Sequence, residues 1–386
     1  MNVYITGIGV CTSVGTTVEE TWENILLGKH GTKKISKFPS LELNACEIPN
    51  IHELHCNSSH MNDIGNATKL FLKTAEEAIQ DADLEMSDNA KIGLAIGTTM
   101  GEIDCLENRL LNKSFHAKFQ GGPDAIANQN YKLLNLNGPS WTITNACAAG
   151  NIAISRAMDE IIYGHADVMI AGGVDVLSWI AIHGFRSLKA MSPDLCTPFD
   201  KERKGLILGE GAGVLILESE RHLMKRNKLP RAKLLSCGLS SDAHHITQPD
   251  PNGHGAIKAM NSAIKMAEIN VKDIQYVSAH GTGTTANDLM EAKAIKAVFS
   301  HTNPYVSSIK SQIGHTLGGA SAIEAALCVQ AINTNTLPPN IHLRNQDPEI
   351  ELNVIKETPV KTHVHYLMSN AYAFGGVNTS IIIGRP

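Results

Sequence analysis

The chain has 386 residues, 43% hydrophobic and 18% charged, the balance of a well-buried enzyme long enough for two domains or one large intertwined unit. Its net charge of −5 and lack of any basic block argue against a nucleic-acid partner, and no run of about 18 apolar residues exists to span a membrane. The eight cysteines include no C-x-x-C pair, so neither a zinc site nor a disulfide framework is expected, no metal is called, and the expected compartment is the reducing cytoplasm.

The chain opens on Met1-Asn-Val-Tyr-Ile-Thr-Gly-Ile-Gly-Val10, which reads as a buried strand with no charged n-region of a signal peptide. Ala67–Ile79 has helical periodicity, and Ile92–Thr99 follows as a strand. Trp141–Thr144 is a short β-branched run, and a helix is expected from about Ala148, over Asn151–Tyr163. Cys147 falls on the turn between them, in Asn-Ala-Cys-Ala-Ala-Gly, where small neighbours leave its sulfur uncovered. A helix N-terminus offers free N–H groups and partial positive charge, which favour a nucleophilic thiolate; a plain core cysteine is the alternative. Asp167–Ala171 reads as the next strand. Leu208-Gly-Glu-Gly-Ala-Gly213 looks like a nucleotide loop, but the strand Val214–Leu217 follows where a helix is required, so that reading is rejected.

The second half repeats the order. Gly255–Ala267 is helical, Gln275–Thr282 a strand, Tyr305–Ile309 a strand, 319–332 a helix of small residues, and Met368–Ala371 a strand, with Thr379–Ile383 closing the chain. Strands alternating with helices imply mostly parallel sheets covered by helices, and two copies imply an α/β fold of five layers, α/β/α/β/α, with halves related by a pseudo-twofold. The halves are drawn as 1–230, carrying the cysteine, and 231–386. The repeat brings His280, in Ala-His-Gly-Thr-Gly-Thr, and His315, in Gln-Ile-Gly-His, towards Cys147 at the C-terminal ends of strands. Lys310 and Glu324 are either a structural ion pair or an electrostatic frame for His315. An aromatic beside Gly375-Gly376 is either a mobile gate or a core plug, and His244-His245 reads as a loop.

These segments, in order over nearly the whole chain, resemble the β-ketoacyl-acyl-carrier-protein synthase family of the thiolase superfamily, in its Cys-His-His branch. The resemblance rests on Asn-Ala-Cys-Ala-Ala-Gly, Pro198-Phe-Asp, Gly209-Glu-Gly-Ala-Gly, His-Gly-Thr-Gly-Thr, Lys310-Ser-Gln-Ile-Gly-His and Phe374-Gly-Gly-Val-Asn378. It implies a thiolase-like fold and a decarboxylative Claisen condensation. Cys147 is acylated from a phosphopantetheine thioester; His280 and His315 donate hydrogen bonds to the malonyl thioester carbonyl; the enolate left by CO2 attacks the acyl group. It further implies an oxyanion hole from the N–H groups of Cys147 and Phe374, a Lys310 and Glu324 frame, Phe374 as acyl gate, Asn378 in support, and Thr282, Thr284, Phe185 and Gly375 along the substrate. No resident cofactor is implied, since phosphopantetheine arrives on an acyl carrier protein, and the partners are that carrier and a second synthase-like subunit in a homodimer or heterodimer.

Three departures from the family pattern stand out. Ala373 precedes the gate where glycine is usual, which is expected to stiffen it by restricting positive φ. Asn57–Asp63 lacks the family's basic carrier patch, leaving Arg186 and Lys189 as docking candidates. The stretch from about 113 to 130 is short. They suggest a specialised synthase of polyketide or aryl-polyene type. The other readings are a coenzyme A-dependent thiolase or acyltransferase, and a non-catalytic chain-length-factor subunit.

Overall fold

The computed structural model describes residues 2–51, 64–86, 90–112 and 121–386. The main sheet has eleven strands: β1 Val3–Thr12, β2 Ile92–Gly97, β3 Ser140–Ile143, β4 Val168–Asp175, β5 Gly211–Ser219, β6 Ala232–Ser241, β7 Ile274–Ser278, β8 Tyr305–Ser307, β9 Asn353–Val354, β10 Tyr366–Ala373 and β11 Val377–Gly384. Their spatial order is β9-β8-β7-β10-β11-β6-β1-β5-β4-β2-β3. Read outward from the centre, the first half runs β1, β5, β4, β2, β3 and the second runs β6, β11, β10, β7, β8, with β9 added at its edge. In each half the outer three of these five are parallel and the inner two antiparallel. The pseudo-twofold expected from the repeat is therefore written in the strand order. The halves join where Val3, Tyr4 and Ile5 pair with Leu234, Lys233 and Ala232.

The principal helices of the other layers are α1 Asn66–Asp81, α2 Ala149–Ile162, α3 His254–Ala267 and α4 Ala320–Thr334, with Pro123–Leu133 beside α1 and Thr285–Val298 beside α3. Helix α1 covers β1 and β5, and α3 covers β6 and β11. Each outer helix sits on a glycine of the strand beneath it: a Cβ at Gly9 would lie 2.1 Å from Thr74 O, and one at Gly238 2.0 Å from Ala259 O. Helices α2 and α4 pack together between the two parts of the sheet. Helix α4, Ala-Ser-Ala-Ile-Glu-Ala-Ala-Leu-Cys-Val-Gln-Ala-Ile-Asn-Thr, is buried around nearly its whole circumference, so its small and apolar residues show no polar stripe. Its first turn meets α2, with the Asn151 N–H donating to Ser321 Oγ at 2.9 Å.

Two expected strands end early. The strand expected to reach Thr282 stops at Ser278, because Gly281 and Gly283 take φ of 38° and 77°. The strand expected to reach Ile309 stops at Ser307, and Lys310 opens a short helix, Lys310–Ile313. Among the described residues no helix is long and apolar enough to cross a membrane.

Candidate active site

Strand β3 delivers the chain into a 3-10 turn, Ala146–Ala148, that runs straight into α2. Ala146 has φ of +46°, a left-handed conformation that costs an L-residue about 1–2 kcal/mol. That kink places Cys147 at the floor of a cavity of about 340 Å³ also lined by His280 and His315. The sulfur is not uncovered as expected: Cys147 is only 5% exposed. Nor is a resting thiolate favoured. Burial pushes the thiol up to about 12; the Lys310 cation pulls the other way, and Asp175 adds to the rise. Burial thus outweighs the helix terminus, and the resting group is the thiol.

His280 lies in the glycine loop after β7 and is 3% exposed; His315 is 1% exposed. Their rings meet edge to face, 5.4 Å between centroids. Burial holds both far below the ordinary imidazole range, Lys310 pushes the same way, and His280 feels His315 as well. Both are neutral at physiological pH. Their surroundings differ in one respect. The Leu317 N–H donates to His315 Nδ1 at 3.2 Å, so the proton of neutral His315 sits on Nε2. His280 Nδ1 has no partner among the described residues, so its tautomer is free.

Buried carboxylates hold this scaffold. Glu291 accepts from the N–H groups of His280 and Gly281 at 2.8 and 2.7 Å, fixing the loop that presents the histidine. Asp288 accepts from Gly283 and Phe199 N–H groups. Asp175, at the end of β4, accepts from Thr98 Oγ1, from Thr99 and Met100 N–H, and from the Gly318 N–H at 2.6 Å. Asp175 thereby ties the first half to the turn after His315. Burial raises Glu291 to about 8, against the two N–H donors, and Asp175 to about 6, against four. None of the three was singled out from sequence. Asp288 and Glu291 carried a usable signal, since they are carboxylates in the opening turns of a helix that follows a glycine loop rich in free N–H groups.

Lys310 and Glu324 are both 1% exposed and form an ion pair behind the histidines. Glu324 rises to about 7 through burial, opposed by Lys310. The pair is a buried structural contact, and its cation pushes both histidines down.

At the mouth, Phe374 stacks on Phe185 with centroids 5.6 Å apart and is 37% exposed. Thr282 and Thr284 line the same wall, their hydroxyls 2.9 Å apart. Asn378 also lines it and donates to Asp242 Oδ1 at 2.7 Å. Gly375 does not line the cavity; Gly376 does. The Gly375 N–H donates to Ile246 O at 2.7 Å. The stiffening expected from Ala373 is absent. Ala373 ends strand β10 in extended conformation, and the positive φ falls on Gly375 and Gly376, at 87° and 76°. Among the described residues no acceptor takes the Phe374 N–H, so it remains available beside the pocket.

Arg186 and Lys189 are exposed, and Lys189 lines the mouth. Asn57–Asp63 lies outside the described residues, as does the first part of the 113–130 stretch; the rest of it enters the helix Pro123–Leu133.

The arrangement is that of a buried thiol faced by two neutral imidazoles and two backbone donors, the equipment for acyl transfer through an enolate. Comparison with known proteins agrees. Residues 1–222 match the N-terminal domain of beta-ketoacyl synthase and residues 231–344 its C-terminal domain. Nodulation protein E of Rhizobium meliloti (strain 1021) is 36% identical over 395 residues, 97% of each chain. The 3-oxoacyl-[acyl-carrier-protein] synthase 2 of Staphylococcus aureus (strain N315) is 35% identical over 407 residues, 99% of this chain and 98% of that one. The structure of the ishigamide ketosynthase/chain length factor superposes with a TM-score of 0.93 at 33% identity, over all of this chain and 99% of the other, and carries the thiolase-like fold.

Proposed function

The chain belongs to the β-ketoacyl synthase family, and on that premise we propose how its residues divide the decarboxylative Claisen condensation that lengthens an acyl chain by two carbons. In the first half-reaction the Cys147 sulfur attacks the acyl thioester of the carrier. The C–S bond to Cys147 forms, the bond to the pantetheine sulfur breaks, and the thiol proton leaves with the departing pantetheine thiol. Because the resting group is a thiol, its proton must move as the C–S bond forms, to the departing pantetheine sulfur, and the strongly depressed basicity of both histidines keeps them neutral throughout. The N–H groups of Cys147 and Phe374 receive the tetrahedral oxyanion.

In the second half-reaction His315, with its proton on Nε2, and His280 donate to the thioester carbonyl of the malonyl group. The C–C bond to the carboxylate breaks, CO2 leaves, and the electron pair stays as an enolate. The enolate carbon attacks the acyl carbonyl and expels Cys147, which takes a proton from solvent. Neutral donors suit an enolate in a dry site, and donors of this kind supply about 3–4 kcal/mol each in comparable sites. Thr282, Thr284, Phe185 and Phe374 would line the path of the arm, with Asn378 bracing the gate.

The observation that carries this reading is the single cavity shared by Cys147, His280 and His315. The reading needs no resident cofactor, since the phosphopantetheine comes with the acyl carrier protein, and it takes the chain to be cytoplasmic, in keeping with the lack of a membrane-crossing helix among the described residues. A second synthase-like subunit fits the pairing named for the ishigamide relative. The match to nodulation protein E fits a specialised pathway, and the equal match to 3-oxoacyl-[acyl-carrier-protein] synthase 2 fits general fatty-acid elongation. Mass spectrometry after incubation with a panel of acyl-carrier proteins tests the proposal: acyl mass on the Cys147 peptide is expected, and its absence with every acyl group would overturn it.

A further inference from the structure

Strand β10 is entered through Thr362-His-Val-His-Tyr366, in which Val364 is buried and His363 and His365 are exposed. Alternation along an extended chain puts both imidazoles on one face. Their rings stand nearly perpendicular, at 87°, with centroids 4.4 Å apart, and the two Nε2 atoms face each other at 3.1 Å. Two imidazole nitrogens bound to one tetrahedral ion at about 2.0–2.1 Å lie about 3.3 Å apart. The pair is thus set within a few tenths of an ångström of the bite of a chelate.

The backbone that carries the pair is fixed. The Thr362 N–H donates to Asn335 O at 3.0 Å, the His365 and Tyr366 N–H groups to Gln275 Oε1 at 2.8 and 3.0 Å, and the Arg385 N–H to His365 O at 2.9 Å. Arg385 Nε donates to Val364 O at 2.8 Å. One ring is also fixed in its tautomer. Asn335 Oδ1 lies 3.2 Å from His363 Nδ1 and accepts from Arg385 Nη2. Arginine can only donate, so that atom is the amide oxygen and His363 Nδ1 carries the proton. The lone pair of neutral His363 is therefore on Nε2, facing His365. A ring N–H given to a carbonyl or carboxylate oxygen is the usual outer support of a metal-bound histidine. Partial desolvation, the Arg385 cation and the facing His365 hold His363 below the ordinary imidazole range, so it is neutral at pH 7. Among the described residues no carboxylate bonds to either ring. Mg2+ and Ca2+, which need oxygen ligands, are poorly served here, whereas imidazole suits Zn2+, Cu2+ and Ni2+.

We propose that His363 and His365 chelate a divalent transition-metal ion of the zinc class where the chain enters β10, with water in the remaining positions. The ion takes the place of the hydrogen bond between the rings. His365 moves its proton from Nε2 to Nδ1, on the exposed side of its ring, and no proton is lost. The eight residues of β10, about 25 Å of strand, separate this site from the gate at Phe374. It therefore stands or falls apart from the condensation reading.

Calorimetric titration of the full chain with Zn2+ alone tests the site. His363→Ala and His365→Ala should each weaken Zn2+ binding at least roughly tenfold, since each removes a ligand. Asn335→Gly keeps the left-handed backbone at φ 50° but removes the oxygen that holds the His363 proton on Nδ1, and it should cost roughly tenfold. Mg2+ should give no matching isotherm. Both histidines are exposed, so without metal the histidine variants should melt at the wild-type temperature. Zn2+ should then raise the thermal midpoint of the wild type and leave theirs in place. A zinc isotherm that survives both histidine substitutions would overturn the site, as would equal binding of Mg2+ by the wild type. Unchanged affinity in Asn335→Gly would overturn the lone-pair assignment on which the chelate depends.

Discussion

The turn that carries Cys147 and the turn that follows His315 share one backbone design. Each begins with a non-glycine residue in left-handed conformation, Ala146 at φ 46° and Leu317 at φ 51°. Each makes a 3-10 turn, Ala146–Ala148 or Leu317–Gly319, and each passes into one of the two central helices, at Ala149 or Ala320. The nucleophile of the first turn therefore corresponds to Gly318 of the second. Gly318 has no room for a side chain: a Cβ there would lie 2.7 Å from Thr99 N and 2.8 Å from Asp175 Oδ2. One copy of the turn opens onto a pocket, and the other is spent binding the halves together and setting the His315 tautomer. The same backbone strain serves chemistry in one place and assembly in the other.

That contrast is open to direct attack. The largest effect is expected from Cys147→Ala, which should lower condensation by at least roughly a thousandfold, read as β-ketoacyl product, while CO2 release from malonyl-carrier protein persists because the histidines remain. Its thermal midpoint should hardly move. Lys310→Ala should strike the site behind both histidines, since it leaves Glu324 buried without its cation and drives it to the protonated form; a loss of about 1–3 kcal/mol is expected in denaturant unfolding at neutral pH, growing as pH rises. Gly318→Ala should invert the outcome at Cys147, with a stability loss of about 1–3 kcal/mol from forced contact with Asp175 and Thr99. If Cys147→Ala proved the less stable of the two, the assignment of roles would fail.

Smaller effects concern protonation. Both histidines lie far below their ordinary range, so kcat/KM should show no acid limb near pH 6.5. Glu291 is raised to about 8 in the folded state from an ordinary 4.5, so the folded protein binds more protons than the unfolded one across that window. Stability from this group is therefore full below pH 4.5 and falls as pH rises through 8. Glu291→Gln should start lower, having lost an acceptor, but its thermal midpoint should decline less than that of the wild type between pH 5 and 9, a range chosen around the folded value of about 8. The smallest effect belongs to Ala373→Gly: within about 1 kcal/mol of wild type, with unchanged acylation kinetics, because the residue sits in a strand and the hinge lies beyond it.

Much of this was legible in the residues. Apolar periodicity located helices α1 to α4 to within a few positions but not the shorter helices such as Val18–Leu26 or the helix Thr285–Val298, and the repeated order of elements foretold the mirrored sheet. Cys147, His280 and His315 stood out because reactive side chains at strand ends beside glycine are uncommon, and family resemblance then assigned their roles. What stayed hidden was set by burial and by partners distant in the chain. The rise of the Cys147 thiol depends on a shell of residues from both halves, and Asp175 joins those halves only because Gly318 reaches it across 143 positions. Ala373 was misjudged for a different reason. A double glycine announces positive φ nearby, but which residue takes it depends on where the β10–β11 pairing stops, and that is settled by register.

Among the described residues strand β3 is the last strand on its side of the sheet, with Ser140 and Trp141 exposed, whereas its counterpart β8 is covered by β9. Its free edge stands one short turn of chain away from Cys147. Whatever polypeptide docks along that edge would share a rigid strand with the nucleophile. The choice of neighbour then becomes a means of retuning the acyl pocket from outside, with no change in the catalytic residues themselves.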